Sequence, residues 1–440
     1  MKNIIILDIY RNTDYRISKD TSGGYGTAND FGNSFFSKIL KKKMKSKSDW
    51  PPLFAAYTYA VLKKQYSVSY KKIYNNSNIE KYLKNYDYYI IVSSIVCSDI
   101  ELQLIRKLKR ENKNIISIGP YASTCSENYL KAGSAVIKGE PELFFLKNNI
   151  EDITNIKEYI NDHQTDINSL PYPPWNELIE FDDIKLYGKH KSIPILGTRG
   201  CPYSCFKYCV YPLQQGRKVR QRTPQNIFNE IMYWKKKWDV TLFIFRDPVF
   251  SINRNHTLEL CNLIIQNNIK IHFVIETHLR ILDDELILNL KKAGLIFVKV
   301  GIESSDSEIL KKEMRYSVTN DEQLEKIKKL HENKINISAM YILGYPSDTN
   351  ETILNTINYS KLLNTAYAQF SIWTPYPGTP AYKEYEKKIT TDKFSDFSQY
   401  QLVYKHKNFN KKQLKNLLEV AYKKYYLRLS WIFRYGFKLY

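Results

Sequence analysis

The chain alternates between short unbroken apolar runs and stretches in which apolar residues recur every three to four positions. Ile4-Ile5-Ile6-Leu7 and Tyr89-Ile90-Ile91-Val92 are continuous runs, the pattern of strands buried on both faces of a parallel sheet. The first part reads as strands at 3–10, 66–74, 88–96, 115–119 and 135–138. Between them lie helices from the prolines at 51 and 52 to about Lys64, at 79–86 and at 98–112. Such alternation predicts a doubly wound, Rossmann-like sheet with helices on both faces. Its ligands would lie beyond the strands' carboxyl ends, near Ser93-Ser94, Gly119-Pro120-Tyr121 and Gly139-Glu140. The polar Gly23-Gly24-Tyr25-Gly26-Thr27 lacks the order of a phosphate loop and reads as a flexible connection.

A second alternation starts at Thr223-Pro224, a helix cap followed by proline, and runs to about Trp238. Strand and helix patterns then follow at 240–246, 256–268, 270–276, 283–294, 296–302, 305–313, 320–333, 335–342, 350–364 and 366–373. This predicts a partial TIM-type (β/α)6 barrel with its chemistry at the carboxyl face. The stiff Ser169-Leu170-Pro171-Tyr172-Pro173-Pro174-Trp175 joins the two halves. The expected division is 1–150, a proline-rich linker 151–190, a barrel 191–385 and a helical extension 386–440. In that tail Leu414, Leu417, Leu418, Ala421 and Tyr425 keep helical spacing to about Tyr435. Its aromatic and arginine mixture suits a helix at a membrane interface and equally a helix packed on the barrel.

Composition adds bounds. A net charge of +21 points to an acidic partner or to a lysine-rich solvated surface, and the lysines are spread along the chain. Six cysteines, three of them in one loop, do not make a secreted disulfide framework. The first apolar run ends at Asp8, too short for a leader, and no run approaches a membrane span. A cytoplasmic protein is expected, with the tail allowing contact with the inner membrane face.

The three clustered cysteines are Cys201, Cys205 and Cys209, just after Ile193-Pro194-Ile195-Leu196. Three thiolates on one loop suit an iron–sulfur cluster, or zinc with His190 as a fourth ligand; a disulfide with a spare thiol is a further alternative. Cys97, Cys125 and Cys261 lie in apolar or helical surroundings and read as buried thiols. Among the histidines, His278 stands at a strand end beside Glu276, where a substrate would pass.

Thr198-Arg199-Gly200-Cys201-Pro202-Tyr203-Ser204-Cys205 with Tyr208-Cys209-Val210-Tyr211-Pro212 resembles the cluster loop of the radical S-adenosylmethionine (radical SAM) superfamily. The family's spacing is C-x3-C-x2-C; here it is C-x3-C-x3-C, one residue longer. Phe245-Arg246-Asp247-Pro248, Glu276-Thr277-His278, Val300-Gly301-Ile302-Glu303-Ser304, Gly344-Tyr345-Pro346 and Pro375-Tyr376-Pro377-Gly378 follow in the family's order. The first half resembles the cobalamin-binding domain that precedes the barrel in one class, through Pro51-Pro52-Leu53, Ile118-Gly119-Pro120-Tyr121-Ala122 and Lys138-Gly139-Glu140-Pro141-Glu142.

The resemblance implies a 4Fe–4S cluster on the three cysteines, reductive cleavage of SAM and a 5′-deoxyadenosyl radical. Tyr208 would pack on adenine, and Gly301, Glu303, Asp247 and Glu276 would hold SAM. Ser93, Gly119, Tyr121 and Gly139 would face cobalamin, which would support methyl transfer to an unactivated carbon. The family's Asp-x-His-x-x-Gly signature is missing, and no histidine precedes His163. Cobalamin would therefore bind without an imidazole ligand, or the fold persists without it. A flavodoxin- or ferredoxin-type reductant and a small-molecule, lipid or glycan-intermediate substrate complete the expectation. The alternatives are a tRNA methylthiotransferase, which would need a second cysteine trio, and a non-enzymatic zinc-binding module. Nucleic acid is not the expected partner.

Overall fold

A computed structural model describes residues 1–45, 50–74, 86–156, 158–160, 166–179, 185–186 and 190–436. The helix expected at 79–86 lies, Tyr86 aside, outside the described residues.

Six strands, β1 (Asn3–Tyr10), β2 (Ser67–Tyr74), β3 (Tyr88–Val92), β4 (Asn114–Ile118), β5 (Ala135–Lys138) and β6 (Glu158–Ile160), form a parallel sheet in the order β2-β1-β3-β4-β5-β6. The buried runs Ile4–Tyr10 and Tyr88–Val92 lie at its centre, as their lack of polar alternation requires. The strand expected to reach 96 stops at Val92, because Ser94 turns to bond the Glu101 carboxylate through both its N–H and its hydroxyl. Short helices at Pro120–Thr124, Ser126–Ala132 and Pro141–Phe145, and a longer one at Phe35–Lys45, fall where no clear periodicity marked them.

The second sheet runs β13-β12-β11-β10-β9-β8-β7, from β7 (Lys185–Leu186), β8 (His190–Ile195), β9 (Leu242–Phe245), β10 (His272–Thr277), β11 (Leu295–Glu303) and β12 (Asn336–Leu343) to β13 (Tyr367–Ile372). Strands β8 to β13 are parallel and β7 is antiparallel to β8. This is the six-stranded partial barrel. Thr223, Asn253, Asp283, Thr319 and Thr349 each start a helix of the outer layer with a side chain that accepts a backbone N–H. Along β11, Val298, Val300 and Ile302 are buried against those helices, while Lys299, Gly301 and Glu303 alternate with them on the concave side.

The tail packs on the barrel. Helix Lys411–Tyr426 lies along β13 and completes its open edge. The Phe370 N–H donates to the Tyr422 hydroxyl, which donates back to the Phe370 carbonyl; Tyr426 does the same at Ala368. The helix ends nine residues short of the expected Tyr435. Arg428 turns extended there, and its guanidinium bonds Tyr425 O, Asn364 Oδ1 and Lys361 O. No described helix is long and apolar enough to cross a membrane.

Candidate active site at the carboxyl face of the half-barrel

Beyond β8 the chain forms a two-stranded ribbon, Thr198–Arg199 against Arg220–Gln221, which carries the cysteine loop. Gly200 has φ +85°, and a Cβ there would stand 2.1 Å from Lys218 O, so only glycine fits the turn. Asp247, at the end of β9, holds the root: its Oδ1 accepts the Gly197 N–H at 2.8 Å. Burial pushes Asp247 up to about 7.

The longer cysteine spacing has a local solution. Ser204–Lys207 is a 3-10 turn, and the Cys209 N–H donates to Cys205 O at 3.0 Å. The extra residue completes one helical turn, so Cys205 and Cys209 stand four apart with their thiols beside each other. That contact, helped by the Arg315 guanidinium, lowers the Cys205 thiol to about 6 against the opposing effect of burial. The same contact, with burial, pushes Cys209 up. Cys201 and Cys205 are buried and Cys209 is half-buried. Among the described residues no three ligand side chains converge on one ion. His190 lies at the opposite end of β8, against His272 and Thr241, and cannot complete a zinc site. A thiol held toward thiolate, two more on the same loop and a buried cation against them fit an iron–sulfur cluster.

Arg315 joins the parts of the site. Its Nη1 lies 3.8 Å from Cys205 Sγ, its Nη2 donates to Gly301 O at 3.0 Å, and Glu303 Oε1 is 3.6 Å away. The pairing of β11 with β12 slips between Gly301 and Glu303, and Glu303 takes φ +69°. A bulge with a non-glycine residue in the left-handed region stores strain of the kind found at functional sites. Burial raises Glu303 to about 7 against the pull of Arg315. A Cβ at Gly301 would meet Glu303 Oε1 at 2.3 Å and Arg315 Nη2 at 2.7 Å. Tyr208 stands edge-on to Tyr345 with ring centres 5.9 Å apart.

Glu276 faces the same interior from β10, opposite Lys299 in register, and burial raises its carboxyl. Lys299, chiefly through burial and then through Arg246, is brought down to about 8. Neither Lys299 nor Arg315 was singled out from the sequence; the strand alternation around Gly301 could have placed Lys299, whereas nothing local marks Arg315. His278 serves structure: its Nε2 bonds Tyr316 O at 2.6 Å, its Nδ1 accepts the Arg280 N–H, and burial lowers it to about 4.

The four residues expected to face cobalamin are buried and engaged within the protein. Ser93 Oγ accepts the Ala122 N–H, Gly119 lies under Phe54, Tyr121 packs between Tyr25 and Tyr129, and the Gly139 N–H donates to Ser123 Oγ. The half-barrel is tied to the first sheet by a buried ion network. Arg199, one residue before Gly200, bonds Glu140 and lies 2.6 Å from Glu142, while Arg220 lies 2.8 Å from Glu140.

Fold and site together define a half-barrel with a loop of three cysteines at its carboxyl face. The signature of the Radical SAM superfamily matches residues 195–359. An uncharacterised methyltransferase of Pyrococcus horikoshii is 25% identical over 413 residues, which is 86% of this chain and 88% of that one. The bacteriochlorophyllide d C-8(2)-methyltransferase of Chlorobaculum tepidum is 25% identical over 360 residues, 76% of this chain and 78% of that one. In fold the chain is similar to the radical SAM methyltransferase TsrM of Kitasatospora setae, solved with cobalamin and a [4Fe–4S] cluster; the TM-score is 0.61 at 14% identity, over 88% of this chain and 78% of that one. Residues 195–359 thus carry a radical SAM domain, and the chain is an enzyme of the kind whose cofactors are a 4Fe–4S cluster and SAM.

Two substitutions probe this grouping. Gly301→Ala is expected to push Glu303 and Arg315 aside and weaken SAM binding about tenfold or more in equilibrium dialysis, with circular dichroism unchanged. Asp247→Asn keeps the acceptor for Gly197 but removes a titrating group. In the wild type the folded chain retains the Asp247 proton up to about 7, above the ordinary carboxylate value. That group's contribution to stability therefore falls as pH rises through this window. Thermal midpoints of the asparagine variant should depend less on pH there.

Proposed function

We propose that this enzyme cleaves SAM reductively and uses the resulting 5′-deoxyadenosyl radical on an unactivated carbon of a small-molecule, lipid or glycan-intermediate substrate. The observation that carries the reading is the meeting of Cys205, Cys209, Arg315, Gly301 and Glu303 at one place on the carboxyl face. When bound, the cluster supplies the electron that breaks the SAM carbon–sulfur bond. Cys201, Cys205 and Cys209 hold it. Glu303 and the Gly301 backbone accept polar hydrogens of SAM, Tyr208 covers its adenine, and Asp247 fixes the loop's root. Glu276 completes the polar wall. Methyl transfer is the outcome that the names of the two curated relatives support.

In this reading residues 1–150 are the doubly wound domain, 151–190 the linker, 191–385 the catalytic barrel and 386–440 the extension. A flavodoxin- or ferredoxin-type reductant is an acidic partner suited to a chain of net charge +21. Exposed Leu362, Leu427, Leu429 and Phe433, with Arg428 and Arg434, support peripheral contact with a membrane's inner face from the cytoplasm. The test is anaerobic reconstitution with iron and sulfide, then dithionite and SAM, reading 5′-deoxyadenosine by mass spectrometry. Formation of deoxyadenosine with about four irons per chain is expected; a chain that binds zinc and forms none would overturn the reading.

A further inference from the structure

In an open parallel sheet the ligand crevice opens where the strand order reverses, at the carboxyl ends of the two strands on either side. Here those strands are β1 and β3. The crevice is filled by the chain's own segment 17–28, pinned by the ribbon Ile17–Ser18 against Thr27–Ala28. Lys19 enters between the two strands with 0% exposure. Its Nζ donates to Val92 O at 2.7 Å and to Glu101 at 2.8 Å, and lies 3.2 Å from Asp8. Both carboxylates have further partners. Glu101 also accepts from Ser94 and Tyr129, and Asp8 from Tyr10 and Tyr70. Withdrawing the ammonium would leave two carboxylates buried without their counter-ion, a state far costlier than the paired one.

The filling continues along the sheet. Over β4, a Cβ at Gly24 would meet the Pro120 ring at 2.7 Å and one at Gly119 would meet Phe54 at 2.8 Å. Tyr25, 0% exposed, stands edge-on to Tyr121 and Tyr376, and its hydroxyl lies 2.9 Å from Pro377 O of the barrel half. Over β5, Glu140 and Glu142 are bonded by Arg199 and Arg220. Among the described residues a pocket of about 480 Å³ including its open mouth lies there, lined in part by Gly23, Gly24, Phe54, Glu140, Arg199 and Arg246. Drug-sized ligands already take pockets of roughly 300–1,000 Å³, and a corrinoid is larger than such ligands.

We infer that segment 17–28 is a built-in occupant of the crevice, and that the first domain takes no corrinoid but clamps the cysteine loop to the half-barrel. Lys19 anchors the segment in the first domain, and Tyr25 and Arg199 join that domain to the barrel half. The inference rests on the radical SAM reading only for the identity of the excluded ligand.

The experiment uses the full chain, reconstituted anaerobically and incubated with excess hydroxocobalamin. After desalting, corrinoid absorbance is read per chain beside iron content and deoxyadenosine formation. No corrinoid above that held by an unrelated control protein is expected, with deoxyadenosine formed equally with and without it. Hydrogen exchange of residues 17–28 should be as slow as that of β1. One corrinoid retained per chain would overturn the inference, as would fast exchange of 17–28 that slows on adding cobalamin. Failure of the cluster would show separately in the iron and deoxyadenosine of the same samples and leave the corrinoid result standing.

Discussion

Cys209→Ala is expected to abolish cluster assembly and, with it, deoxyadenosine formation. Its thiol is the half-buried member of the trio and stands one helical turn from Cys205. The contact between them is the main reason that Cys205 sits at about 6. Removing Cys209 therefore takes away one ligand and leaves a second less ready to ionise. Iron analysis and mass spectrometry of the reconstituted variant check this. Cys261→Ala is the control: that thiol, buried in helix Arg254–Gln266 and raised to about 12 by burial, lies outside the site, so iron content should be unchanged. A Cys209→Ala protein with a full cluster would mean that the longer spacing places this cysteine elsewhere.

Arg199→Met is expected to be the most destabilising of the substitutions considered. The side chain is replaced by one of similar length, so packing is largely kept, but Glu140 and Glu142 lose the guanidinium that faces both. Breaking one side of a buried ion network costs about 3–5 kcal/mol, because the remaining charges stay buried. The effect should appear as a lower thermal midpoint of the cofactor-free chain. Adding Glu140→Gln and Glu142→Gln should recover much of it, since neutral amides in the same place need no counter-ion. No recovery would show that Arg199 acts through packing, including its cation–π contact 5.4 Å from the centre of the Tyr57 ring. Because Arg199 adjoins Gly200, deoxyadenosine yield should fall along with stability.

These two residues mark the limit of what the sequence discloses. The cysteines were legible because their chemistry is local, and the strands because an unbroken apolar run has few other uses. The helix start at Thr223 was legible for the same reason: a cap bonds within three residues of itself. Lys19 looks like any lysine in a polar stretch, and its partners lie at positions 8, 92 and 101. The Gly23–Thr27 segment read as a flexible connection for that reason, although Gly24, Tyr25 and Gly26 are buried. Arg315 bonds Gly301 and Cys205 across a turn that no periodicity marks. The tail fitted two readings because its tyrosines present apolar rings and polar tips alike; their hydroxyl partners on β13 pack helix Lys411–Tyr426 on the barrel, while Leu427, Leu429 and Phe433 beyond it stay exposed.

A half-barrel left open keeps a bare margin where backbone groups wait for a partner. In this protein the hydroxyls of Tyr422 and Tyr426 take up the N–H and the carbonyl of Phe370 and Ala368, each answering both groups of one residue. Another molecule arriving there finds no free ladder on which to add a strand. A chain shortened at Asn410 would bare those groups, and it is expected to cloud a concentrated solution that the intact one leaves clear.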